Sequence, residues 1–197
     1  MRCATAPVMP HPGCSDNGLV RIRAARRTEL AFLQAIDRAA GQMFAGIGMP
    51  EVARHHWWPL PVLEDRQDAG RLWVAAAEAD EPVAFSMADL VDGCLHVEQV
   101  SVHPGSARRG VGRRLLDHAA SLSAAEGLPA LTLTTFAHVP WNGPYYARCG
   151  FRVLDDAELT PGLRAIRQRE AAAGLDRWPR VGMRGDLAGH HEAQTRH

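Results

Sequence analysis

The sequence predicts a single mixed α/β domain, and three observations predict it. Stretches with strand-like alternation take turns with stretches whose apolar residues return every three or four positions. The order shows no internal repeat. The chain has 197 residues, 46% of them hydrophobic, which is enough for one full core and hardly for two.

Taken in order, residues 1–18 are rich in Pro, Gly and small residues and read as a flexible tail, as do residues 189–197; the domain is expected over 19–188. Leu19 to Arg23 is a short strand. Thr28 can cap a helix running to Ala40, with Leu30, Leu33, Ile36 and Ala40 on one face and Gly41 as its stop. Residues 42–63 are irregular or partly helical and unusually aromatic. Arg71–Glu78 and Val83–Val91 are strands across the turn Ala79-Asp80-Glu81-Pro82, and Asp92-Gly93 is a hairpin signal into a strand over 94–102. Apolar residues at 111, 115, 119 and 122 make 110–126 a helix ending at Gly127. Ala130–Ala137 is a strand, Asn142–Cys149 a short helix, Phe151–Asp155 a strand, Pro161–Ala173 a helix opened by proline, and Val181–Leu187 the closing strand.

Charge and composition remove whole classes of function. Lys plus Arg equals Asp plus Glu at 22 each, which argues against non-specific binding to nucleic acid or an anionic membrane. No apolar run approaches the roughly 20 residues of a spanning helix, and the Pro-interrupted start is a poor signal peptide, so a soluble, cytoplasmic protein is expected. Cys3 and Cys14 fall in the tail, Cys94 and Cys149 in structured segments, and no Cys-x-x-Cys pair occurs; ordinary reduced thiols are expected. His55-His56 and His190-His191 are adjacent rather than spaced on a helix face, so no metal is expected.

The segment His103-Pro104-Gly105-Ser106-Ala107-Arg108-Arg109-Gly110-Val111-Gly112-Arg113-Arg114-Leu115-Leu116 joins a strand to a helix through a glycine-bearing, arginine-rich turn. Such a turn points unpaired N–H groups and a positive helix end at an anion, and Gly110 and Gly112 let it approach the backbone. It lacks the Gly-Lys-Ser/Thr of a mononucleotide loop. Leu115 stands where a dinucleotide fingerprint needs its third Gly or Ala. Just upstream, simple alternation puts His96, Glu98, Val100 and Val102 on one strand face and Leu95, Val97, Gln99 and Ser101 on the other. Glu98 then projects from an otherwise apolar strand beside the anion turn and is a candidate general base, with burial expected to raise it from roughly 4 toward neutrality.

The turn, followed downstream by Trp141-Asn142-Gly143-Pro144-Tyr145-Tyr146-Ala147-Arg148-Cys149-Gly150-Phe151, resembles the GNAT N-acetyltransferases over about residues 19–187. Their Arg/Gln-x-x-Gly-x-Gly/Ala motif binds the pyrophosphate of acetyl-CoA, and their Tyr-x-x-x-Gly-Phe is matched by Tyr146 through Phe151. Ala107 departs from the first motif, so Arg108, Arg109 or Arg113 would supply charge instead of a side chain at 107. The interval from Asn142 to Tyr146 is short for the family.

The resemblance implies a central mixed, mostly antiparallel sheet of about six to seven strands flanked by helices, with two splayed strands at the acetyl-CoA site. It implies main-chain contacts to pantetheine from Val100, Ser101 and Val102, and to the pyrophosphate from Arg108, Arg109, Gly110, Val111, Gly112 and Arg113. Asn142 would be a cofactor contact, and Tyr146 the acid that protonates the thiolate of CoA after an amine, deprotonated through Glu98, attacks the thioester. His138 is the rival base, with an ordinary pKa of about 6.5. Tyr145 is expected to pack.

Met43, Phe44, Met49, His55, His56, Trp57 and Trp58 form the region that covers the acceptor in this superfamily, and Asp37, Glu51, Glu64 and Asp65 are candidates to orient a cationic amine. The leading acceptor is a primary amine of a small molecule. A protein N-terminus or lysine, or a non-catalytic acyl-CoA sensor, are the alternatives. Family members are often dimers, and residues 161–187 could serve as the interface.

Overall fold

Short strands with strong β-formers pair around one long hairpin. In the computed structural model, which describes residues 20–55 and 58–187, Pro82–Val91 and Cys94–Val102 form that hairpin across Asp92-Gly93. Both turn residues have positive φ, 49° and 75°, as the tight reversal needs. In chain order the strands are β1 (Arg21–Ala24), β2 (Leu72–Ala76), β3 (Pro82–Val91), β4 (Cys94–Val102), β5 (Ala130–Phe136), β6 (Arg152–Val153) and β7 (Arg180–Asp186). They make one seven-stranded sheet in the order β1-β2-β3-β4-β5-β7-β6. Every pairing is antiparallel except β4 with β5. The expected tails and Leu19 lie outside the described residues.

The helices are α1 (Leu30–Gly41), α2 (Pro50–His55), α3 (Leu60–Asp68), α4 (Val111–Ala125), α5 (Gly143–Arg148) and α6 (Pro161–Ala172). The strand expected over 71–78 is shortened to Leu72–Ala76 and that over 151–155 to Arg152–Val153, and two helix signals act differently from expectation. Thr28 does not cap α1, because residues 27–29 form a 3-10 turn whose Glu29 side chain accepts from the Arg26 N–H at 2.8 Å. Gly41 does not stop the helix, because it keeps right-handed geometry and the chain continues as a 3-10 turn to Gly48, whose φ of 79° ends it.

Two apolar layers cover the sheet. Leu115, Leu116 and Ala119 of α4 pack with Leu95, Val97, Leu131, Leu133 and Met183 on one face. Leu30, Leu33 and Ile36 of α1 and Leu63 of α3 pack with Leu72, Val74, Phe85 and Met87 on the other. The run Leu72–Ala76 is buried at every position, as expected of a strand covered on both sides. Among the described residues no helix is long and apolar enough to cross a membrane.

The β4–β5 junction shapes the site. These parallel strands pair at Leu95–Leu131 and His96–Thr132 and then diverge, so one edge of β4 beyond His96 has no strand neighbour among the described residues. Its N–H and C=O groups there are available to a ligand.

Candidate active site

At the mouth of this divergence the chain folds back before α4. Arg108 (φ 61°) and Gly110 (φ 75°) are both left-handed, a conformation that glycine adopts freely and arginine does not. The first helical bond described is from the Arg114 N–H to the Gly110 carbonyl, 3.1 Å, so Val111, Gly112 and Arg113 present first-turn N–H groups. Arg108, Arg109 and Arg113 are exposed. Arg113 is turned along the helix to Asp117, 2.7 Å away, which takes its side chain off the loop. The donor set fits a diphosphate: backbone N–H groups, a helix N-terminus, and flanking cations.

Tyr145 sits over this turn. A Cβ placed on Gly112 would lie 3.0 Å from the Tyr145 hydroxyl, so glycine at 112 lets α4 and α5 approach there. Burial and the neighbouring Cys149 push the Tyr145 phenol above its ordinary range. Tyr146 stacks edge-on with Tyr145 at 5.5 Å and with Phe151 at 5.8 Å, within the α4-side core. Burial, then Cys149, holds its phenol above the usual tyrosine range, so it keeps its proton at neutral pH. The positive φ of Gly150, 95°, turns the chain from α5 to Phe151, which carries this packing, and on into β6.

Simple alternation fails in β4. Met87 lies opposite Gln99 and Ala88 opposite Val97, so Glu98 is an extra, bulged residue. The bulge puts Val97 and Val100 on the same α4-side face, with Val102. Glu98, Gln99 and Ser101 reach the α1 and α3 side instead. Nor is the setting of Glu98 apolar: Arg66 of α3 donates to both its oxygens, Nε–Oε2 2.6 Å and Nη2–Oε1 2.9 Å, and also reaches Asp89 at 3.0 Å. Glu98, first among these partners, raises the Arg66 guanidinium above its ordinary range. Arg66 was not visible as a site residue, since nothing in its helix pattern marks a partner 32 residues on.

Asp37 belongs to this wall as well. It is 2% exposed, with Oδ1 accepting from the Ser101 hydroxyl at 2.6 Å and the Gln99 amide at 3.0 Å. Of the four acids considered as candidates to orient a cationic amine, Asp37 alone is buried. Glu51 pairs instead with Arg177 at 2.7 Å, and Glu64 with Arg27 at 3.5 Å.

At the far side of the divergence, the Asn142 amide donates to Thr135 Oγ1 at 2.9 Å, while its buried Oδ1 has no partner among the described residues. His138 is exposed in the loop between β5 and α5, away from the buried network. Phe44 meets Phe136 and Trp141 edge-on, each at 5.6 Å, and Met49 and Val52 join the same cluster with Leu175 and Trp178 packed against it. The segment after α1 and the segment before β7 thus meet at the open end of β5. His56 and Trp57 lie outside the described residues.

Comparison with known proteins agrees with this geometry. A family model for the acetyltransferase (GNAT) family matches residues 33–151. The peptidyl-lysine N-acetyltransferase YjaB of Salmonella typhimurium is 31% identical over 88 residues, 45% of this chain and 54% of that protein. Its Escherichia coli counterpart is 33% identical over the same shares. The chain spans about half the length of the curated relatives it matches. Among solved structures, the PaiA N-acetyltransferase of Thermoplasma acidophilum in complex with coenzyme A aligns at a TM-score of 0.65 and 14% identity, over 85% of this chain and 99% of that one. The ribosomal-protein-S18-alanine N-acetyltransferase of Escherichia coli aligns at 0.62 and 17%, over 88% and 97%. At these identities the structural likeness speaks for the fold.

Proposed function

The chain belongs to the acetyltransferase (GNAT) family, and on that premise we propose that it transfers an acetyl group from acetyl-CoA to a primary amine of a small molecule, by direct attack in a ternary complex. One observation carries the choice of acceptor. The Glu51–Arg177 ion pair and the packing of Met49 and Val52 near Leu175 and Trp178 join the two segments over the open end of β5. A polypeptide acceptor requires an open groove; two segments in contact favour a compact amine.

Acetyl-CoA supplies an activated acetyl thioester. The N–H groups of Val111, Gly112 and Arg113, with Gly110 and the side chains of Arg108 and Arg109, hold its diphosphate. The edge of β4 at Val100, Ser101 and Val102, without a strand neighbour among the described residues, binds the pantetheine arm, and Asn142 Oδ1, without a partner among those residues, accepts a bond from the cofactor. Glu98 takes the proton of the acceptor amine, directly or through water, using the lone pairs that Arg66 leaves free. As the N–C bond forms and the C–S bond breaks, Tyr146 gives its phenolic proton to the departing thiolate. Positioning and proton transfer are the main contributions.

A second reading, acetylation of a protein lysine, draws support from the YjaB relatives, whose similarity covers under half of this chain. A screen of free-thiol release from acetyl-CoA separates these readings. We expect release with amino acids, polyamines or amine-bearing antibiotics and none with lysine peptides, and a Tyr146→Phe loss of about 100-fold in turnover with acetyl-CoA affinity kept. Release with peptides alone would overturn the small-molecule reading. Tight acetyl-CoA binding without release across a broad panel would point to a sensor.

A further inference from the structure

Three side chains tie α1 to the wall of the cleft. The Ser101 hydroxyl and the Gln99 amide both donate to Asp37 Oδ1, and the same Gln99 amide donates to Ser101 Oγ at 2.8 Å, closing a triangle. Ser101 is 1% exposed, and Asp37 Oδ2 has no partner among the described residues. Gln99 and Ser101 flank Val100 in the part of β4 whose other edge β5 has left. A triangle needed only for packing would be served by asparagine, which accepts the same two bonds without a buried charge. What a carboxylate adds is strength, since charge-assisted hydrogen bonds are about twice as strong as neutral ones.

We propose that Asp37 is a positioning residue for the cofactor wall, its carboxylate holding Gln99 and Ser101, and through them the main chain of Val100–Val102, in the geometry that receives acetyl-CoA. This rests on the reading of the cleft as an acetyl-CoA site. Protonation of Asp37 turns both bonds into weaker neutral ones and loosens the wall.

Burial pushes the Asp37 carboxyl up to about 6, opposed most by its bond from Ser101. Of the titratable and charged groups on elements packed against α1, Glu98 of β4 and Asp89 of β3 pair with Arg66 of α3, Glu51 of α2 with Arg177, Glu64 and Asp68 of α3 with Arg27, and Glu29 with Arg23. His96 of β4 bonds Thr132, and Arg54 of α2 and Asp65 of α3 are exposed. The wall therefore tightens as pH rises through about 6.

The test is calorimetric affinity for acetyl-CoA from pH 5 to pH 8 in the wild type, Asp37→Asn and Ser101→Ala. Ionisation of the ligand's own phosphates acts on all three alike, so the ratio of variant to wild-type Kd is the readout. For Asp37→Asn we expect a ratio near one at pH 5 that climbs about five- to ten-fold by pH 8, a charge-assisted bond's worth. Ser101→Ala is expected to show a smaller climb of the same sign. Wild-type binding with a flat ratio for Asp37→Asn would overturn the role of Asp37 alone. No wild-type binding at any pH would defeat the acetyl-CoA reading itself.

Discussion

Asp37 shares the buried face of α1 with Leu33 and Ile36, where an apolar residue would be the stabilising choice. Its carboxyl titrates near 6 in the fold, against an ordinary value of 3.8. The native state therefore binds more protons than the unfolded chain between those values, and stability falls as pH rises through that window. At neutral pH the ionised group costs roughly 2–3 kcal/mol. Asp37→Asn removes this titration, so its stability advantage over the wild type should grow by about that amount from pH 4 to pH 7.5, read by denaturant melts at both. A difference that stays constant with pH would contradict it. A residue kept at such a cost fits a stability–function trade-off.

At the scale of elements, α5 sets Tyr146 into the α4-side core only because it begins on top of the end of β5. A Cβ on Gly143 would lie 2.5 Å from the Ala137 carbonyl oxygen and 3.1 Å from that of Phe136, both main chain and unable to step aside cheaply. Gly143→Ala should lift α5, cost about 1–3 kcal/mol, and lower turnover along with stability. In a thermal melt this is a drop of about 3–10 °C for a chain of this size. Gly46→Ala is the control: a Cβ there meets nothing within 4 Å, and its melting should stay close to that of the wild type.

Across the whole molecule, α6 is tied to the sheet at both ends: at its start the Gly162 N–H donates to Asp92 at 2.7 Å and Leu163 is buried, and toward its end Glu170 is the charged anchor. Glu170 meets Arg180 of β7 with two bonds, 2.5 and 3.0 Å, Thr134 of β5 at 2.5 Å and Arg167 at 2.5 Å, while Arg180 also lies 4.4 Å over the Phe136 ring. Burial alone would raise Glu170, but Arg180, Thr134 and Arg167 outweigh it and hold the carboxyl below its ordinary range. That stability is present above the ordinary carboxylate pKa and is lost as pH falls through the lowered one. Glu170→Gln leaves the nearly buried Arg180 charge without a counter-ion and should cost about 3–5 kcal/mol at pH 7, shrinking toward pH 3. Equilibrium unfolding at both pH values checks this, and equal losses at both would remove Glu170 as the charged anchor of α6.

Much of this protein was legible in its sequence because the signals are local. The hairpin at Asp92-Gly93, the period of α4, the glycines of the turn before α4 and the run from Tyr146 to Phe151 each depend on residues a few positions apart, whose backbone preferences and side-chain spacing are set before any tertiary contact forms. Tertiary structure decided the rest. A bulge at Glu98 is invisible to a period-two pattern, because it is defined by what lies opposite on β3. Arg66 reaches Glu98 over 32 positions, Asp37 reaches Ser101 over 64, and Glu51 reaches Arg177 over 126. No spacing encodes such pairs. They exist only once the sheet has brought α1, α3 and the segment before β7 around one cleft, and the desolvation that gives Asp37 its unusual proton affinity is a property of that assembly.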